Sequence, residues 1–112
     1  MKTPLLIVSL VLATAAASSV QPARQGADGK ALYNENCRKC HGVIGMPPKT
    51  MKAKFPKIPT FNAEFIAAHS QDSIVKVLTH GKNEDMKSFA DKLKPDEMKA
   101  VAAYVHELGA KH

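Results

Sequence analysis

No tryptophan occurs in the 112 residues, and the remaining aromatics are four phenylalanines and two tyrosines. Aromatic rings bring large apolar area to a small core. A chain this poor in them needs something else to complete its interior. The longest apolar run is Leu5 to Ala13 (LLIVSLVLA), far short of the roughly 20 residues that a membrane-spanning helix needs. No segment alternates apolar and polar residues with period two, so there is no strand signal, and there is no internal repeat or low-complexity run. With only two cysteines, a disulfide framework is excluded. Residues 46–60 (MPPKTMKAKFPKIPT) lack any acid but hold four prolines and four lysines. This segment reads as an irregular basic loop wrapped around something, with Pro47 and Pro48 preventing a helix from restarting.

The first residues have the layout of a secretory signal peptide. Lys2 gives a positive start, the apolar run follows, and Ala15 and Ala17 form an A-x-A cleavage signal within ATAAASS. Residues 1–19 are therefore expected to be removed by cleavage near 17–19, leaving a chain that begins near Ser18 or Val20. Without a cysteine near the cleavage point, a lipid anchor there is excluded. Loss of Lys2 lowers the formal charge from +6 to +5. The mature chain, about 95 residues, is one domain, of a size that often leans on a disulfide, metal or cofactor. Export also means an oxidising compartment, where free paired thiols do not persist.

Residues 20–27 (VQPARQGA) read as a flexible arm, leaving 28–112 as the folded domain. Asp28 is a good N-cap for a helix carrying Ala31, Leu32 and Tyr33 towards Cys37, with Gly42 and Gly45 stopping it. Asn62 caps a short helix over Ala63–Ala68. Ser70 caps another with Ile74, Val75, Val77 and Leu78 on its apolar side, ended by Gly81. The clearest helix starts at Pro95, with Asp96 and Glu97 in the first turn. Met98, Val101, Ala102, Val105 and Leu108 follow at helical spacing, and Gly109 is expected to end it. The expected fold class is all-α.

Both cysteines lie in NENCRKCHG, Cys37 and Cys40, with His41 directly after. A thioredoxin-like dithiol opens a helix that follows a strand, whereas this pair closes a helix. Structural zinc wants four ligands, and His69, His80 and His106 show no paired spacing with the cysteines. A disulfide over two intervening residues closes a tiny ring and leaves His41 unexplained. C-x-x-C-H in an exported chain points instead to c-type haem attachment. The thiols add across the two haem vinyl groups to give thioethers, and the adjacent histidine lies under the iron as proximal ligand.

A haem with one protein ligand leaves its other face undecided. Met46, Met51, Met86 and Met98 and the histidines at 69, 80, 106 and 112 are the candidates. Met98 belongs to the apolar stripe of the last helix, His80 suits a helix C-terminus, and His69, His106 and His112 read as exposed polar positions. Met46 and Met51 sit in the basic proline loop. Met86 stands out as the single apolar residue of the charged loop 82–88 (KNEDMKS), 45 positions after His41. It is either a ligand or a hydrophobic pin for that loop; a thioether ligand would raise the potential.

GKALYNENCRKCHG and MKSFADKLKPDEMKAVAAYVHEL together resemble the class I c-type cytochromes, specifically the small bacterial single-haem kind, over Gly29 to Leu108. The resemblance implies a cytochrome c fold of about four helices around one covalent haem c. It implies that Cys37 and Cys40 hold the haem, that His41 is the proximal and Met86 the distal ligand, and that Gly29 and Tyr33 pack against Tyr104. It also implies that a proline carbonyl, from Pro47 or Pro48, accepts the proximal ring N–H. One departure is Lys87, where the family often has proline after the ligand methionine.

The implied function is a periplasmic or otherwise exported electron carrier rather than an enzyme. Ile58, Phe61, Phe65, Ile74, Leu78, Phe89, Leu93 and Val101 are candidates for its apolar pocket. Lys49, Lys52, Lys54 and Lys57, with Arg38, Lys39, Lys82 and Lys87, would steer redox partners with acidic docking surfaces. No nucleic-acid partner and no integral membrane segment after cleavage are expected, and the chain reads as a monomer. Two alternatives stand beside the carrier: a haem c subunit of a larger oxidoreductase, or a ligand-binding or peroxidatic haem protein with an open distal site.

Overall fold

The computed structural model describes Lys2 and residues 27–112. The expected signal peptide, apart from Lys2, and the arm up to residue 26 lie outside the described residues. Helix α1 (Gly29–Asn36) starts where Asp28 accepts a hydrogen bond from the Ala31 N–H at 3.1 Å. A break at Cys37 separates it from the single turn α2 (Arg38–His41), which Gly42 ends with φ 84°. Further along, α3 (Lys49–Lys54) is followed by α4 (Ala63–Ala68), capped by Asn62, and α5 (Gln71–His80), capped by Ser70. Helix α6 (Pro95–Lys111) has proline in its first turn and the Glu97 carboxylate accepting the Lys94 N–H at 2.9 Å. Among the described residues there is no strand, so the architecture is all-α.

Several expectations need correction. The basic segment is not wholly irregular, because α3 forms within it. Pro48 stands at its N-cap rather than in its interior, and its carbonyl accepts the Met51 and Lys52 N–H groups at 2.9 and 3.0 Å. Proline is tolerated at a helix start, where its missing N–H would be unpaired anyway. With α2, this makes six helical segments among the described residues where about four were expected.

Gly109 does not end α6, which runs on to Lys111. It is buried against α4, and a Cβ there would collide with Ile66 and lie 3.0 Å from the Asn62 carbonyl oxygen. Its small size serves close approach rather than termination.

Helix α6 is the centre of the fold, packing against α1, α4 and α5. Met98, Val101, Ala102, Val105 and Leu108 form its buried stripe. At the α1 crossing, a Cβ on Gly29 would strike the Ala100 carbonyl, and the Tyr33 and Tyr104 rings meet edge-on with centroids 5.2 Å apart. The expected Gly29–Tyr33–Tyr104 contact is therefore formed. Full burial pushes the Tyr33 hydroxyl pKa well up, Cys37 and Tyr104 adding to the shift, and it donates to the Gly42 carbonyl at 2.7 Å.

His69 and His106 are half-buried rather than exposed. The His106 Nε2 donates to the His69 carbonyl at 2.7 Å, tying α6 to the end of α4. The two residues are 37 positions apart, so nothing local in the sequence announces this link.

Candidate cofactor site

A cavity of about 620 Å³ opens beside α2, within the size range of cofactor pockets. Cys37, Cys40, His41 and Met86 all line it. The first three arrive on the Cys37 break and the α2 turn, the last on the loop between α5 and α6. Met86 is the one methionine and His41 the one histidine among its lining residues. Of the other candidate ligands, His69 borders only a smaller adjoining cavity of about 150 Å³, and Met46, Met51, Met98, His80, His106 and His112 border neither. Met98 is core, with the Thr79 hydroxyl 3.3 Å from its sulfur.

The electrostatics of the donor set discriminate between chemistries. Burial, with a smaller contribution from Cys40, pushes the Cys37 thiol up to about 11. That thiol is protonated at neutral pH, the opposite of the depressed pKa of a redox dithiol. Among the described residues no three His, Cys, Asp or Glu side chains gather as a metal-ion site, which is what the zinc alternative requires. Burial lowers the His41 pKa to about 4, so its imidazole is neutral with a lone pair to offer. Its Nδ1 is buried with no hydrogen-bond partner among the described residues, so neither Pro47 nor Pro48 accepts it as the resemblance implied.

Two thiols, one neutral imidazole and one thioether facing a largely apolar cavity fit a covalently tethered haem: attachment points on one segment and soft or nitrogen donors for the iron. Ile58 and Phe89 line the larger cavity as expected, and Phe61, Phe65 and Ile74 the smaller one. Leu78, Leu93 and Val101 line neither; they are buried in the helical core.

Residues not anticipated as lining include Asn36, Phe55, Pro59 and Asn83. Asn83 also organises the loop, its side-chain oxygen accepting the Asp85 and Met86 N–H groups at 3.0 and 2.9 Å. An asparagine three residues before Met86 in a turn was the available signal. Five lysines, Lys54, Lys57, Lys82, Lys87 and Lys92, line the larger cavity against a single acid, Asp85, giving it a positive surround. Val43, Ile44 and Met46, just after α2, are exposed apolar residues.

Comparison with known proteins points to the same cofactor. The family described as Cytochrome C oxidase, cbb3-type, subunit III matches residues 24–105. Cytochrome c6 of Thermosynechococcus vestitus is 34% identical over 106 residues, covering 89% of this chain and 88% of the relative. The cbb3-type cytochrome c oxidase subunit CcoP of Azospirillum brasilense is 27% identical over 81 residues, covering 72% of this chain but 28% of the relative. A solved structure, the c-type cytochrome KustC0563, superimposes with a TM-score of 0.66 at 33% identity, covering 74% of this chain and 99% of that one.

Proposed function

This chain belongs to the class I c-type cytochromes, and from that premise we propose that it is an exported, single-haem electron carrier with His41 and Met86 as axial ligands. Cys37 and Cys40 form the two thioethers. The observation that carries this assignment is a cavity lined, among the described residues, by both cysteines, by His41 and by no methionine other than Met86. When bound, the haem supplies one-electron chemistry between the ferrous and ferric states.

The chain's residues define how that chemistry is used. Thioethers at Cys37 and Cys40 would retain the cofactor in an exported protein, where lost haem is not recovered. His41, kept neutral by burial, offers its lone pair without first losing a proton. Met86 would hold the iron together with His41, which would deny it to peroxide or small ligands and raise the potential. With both residues holding the iron in both oxidation states, reorganisation would be small. The lysines around the cavity steer acidic redox partners, so transfer rates to such a partner fall as salt rises; a flat salt response removes the steering role.

A second reading, a haem c subunit of a larger oxidoreductase, is favoured by the match to an oxidase subunit family. Isolation of the tagged chain from its host distinguishes the two: a carrier comes away alone, a subunit with a stoichiometric partner.

The assignment is tested by following the optical spectrum of the purified holoprotein through an electrochemical titration. A single reversible one-electron wave, low-spin at both ends, supports the carrier. A high-spin ferric form, or a spectrum that changes on adding peroxide, supports an open site and contradicts it.

A further inference from the structure

Among the described residues none accepts a hydrogen bond from the second His41 nitrogen, the device that usually orients a metal-bound imidazole. That nitrogen, Nδ1, is buried. The Pro48 carbonyl is already engaged by the Met51 and Lys52 N–H groups. What does lie against the ring is Phe61, nearly parallel at 17°, with the centroids 4.7 Å apart.

Phe61 is itself held from several sides. It is 7% exposed, and its N–H donates to the Gly45 carbonyl at 2.8 Å. Gly45 has φ 82°, and a Cβ there would sit 2.7 Å from the Phe61 Cβ, so only glycine permits the approach. The Tyr33 ring meets Phe61 edge-on at 6.4 Å, and the Phe65 ring lies 4.9 Å away on a tilt. Tyr33 also fixes the backbone just after His41 through its bond to the Gly42 carbonyl. The segment that follows His41 thus returns to clamp the one ring that faces the imidazole.

We propose that Phe61 is the positioning residue of His41: its ring face sets the rotational angle of the imidazole plane. The proposal rests on His41 being the proximal ligand. Rotation of an axial imidazole changes which iron orbital receives its π electrons, so the magnetic anisotropy of the ferric protein reports the angle directly. A residue that only fills the core would not move that signature.

The test compares ferric holoprotein of the wild type, Phe61→Leu, Phe61→Tyr and Leu108→Ala by electron paramagnetic resonance and by the proton NMR pattern of the haem methyls. Leu108 is a core residue that lines neither cavity. Phe61→Leu is expected to shift both signatures, Phe61→Tyr to restore the wild-type pattern, and Leu108→Ala to lower stability with the pattern intact. Should Phe61→Leu not accumulate as holoprotein, Gly45→Ala displaces Phe61 without altering its ring and is expected to shift the pattern. An unchanged pattern in the displaced variant, or the same shift in Leu108→Ala, overturns the proposal. A wild type without a low-spin ferric signal overturns the functional reading itself, and this proposal with it; a normal wild type with an unresponsive Phe61 overturns the positioning role alone.

Discussion

The two segments that face the cavity are built in opposite ways. On the His41 side, attachment and ligand residues sit within five positions, and buried side chains clamp the backbone beside them. Tyr33, with no exposed surface, bonds the Gly42 carbonyl, and Phe61 bonds the Gly45 carbonyl while covering the His41 ring. On the Met86 side, residues 82–88 are exposed except for Met86 itself. Polar turn chemistry holds that loop: the Asn83 side chain accepts two N–H groups, the Lys82 N–H donates to the Met86 carbonyl at 2.9 Å, and the Ser88 hydroxyl donates to the Thr79 carbonyl at 2.6 Å. Exposed polar turns open at lower free energy than packed cores. The His41 side should therefore fail only with the whole fold, and the Met86 side before it.

The largest expected effect is at the attachment point. Replacing Cys37 and Cys40 together with alanine is expected to abolish haem that survives denaturation, seen as complete loss of haem staining on a denaturing gel.

Next comes the clamp. Tyr33→Ala should cost about 3–5 kcal/mol of folding stability, the range for deleting a buried aromatic. Tyr33→Phe should cost about 1–3 kcal/mol by leaving the buried Gly42 carbonyl with only the long 3.4 Å bond from the Gly45 N–H. In both variants, chemical denaturation followed by helical signal and by haem spectrum should give coincident transitions, since this side unfolds globally.

Asn83→Ala should act differently. Its effect is about 1 kcal/mol, the worth of an ordinary hydrogen bond. The Met86-dependent spectral feature should melt away at lower temperature than the helices. Coincident melting would break the contrast between the two sides.

The smallest effect sharpens the contrast from the other direction. Lys87 has negative φ and its N–H makes no backbone hydrogen bond, so Lys87→Pro removes nothing there. It should stabilise the loop by about 0.4–1 kcal/mol through the unfolded state. The gap between loss of the Met86 feature and global melting should narrow.

Local signals in the sequence were the legible ones. Asp28, Asn62, Ser70 and Pro95 mark helix starts because capping depends on residues three positions apart. The apolar stripe of α6 was legible for the same reason. The candidate site was legible in its motif, since Cys37, Cys40 and His41 fall within five residues, and Met86 drew notice as the single apolar residue of a charged loop. What stayed hidden depends on distant partners. Gly109 looks like a stop signal until α4 is seen against it, and nothing in its neighbourhood announces Ile66. His106 looks exposed until the His69 carbonyl arrives from the end of α4. Phe61 could be named as a pocket residue, but its stacking on His41 depends on the return of the chain past Gly45. The helix α3 was obscured by a local rule applied too broadly, because Pro48 stands at its start, where proline does no harm.

The assignment of Met86 as the distal ligand carries the step from haem attachment to electron transfer, and one measurement addresses it. The optical spectrum of the oxidised holoprotein is recorded for the wild type and for Met86→Ala. The account predicts a methionine–iron charge-transfer band in the wild type and its complete loss in Met86→Ala, with covalent haem retained. A wild type without that band, or a Met86→Ala protein that keeps it, would contradict the account.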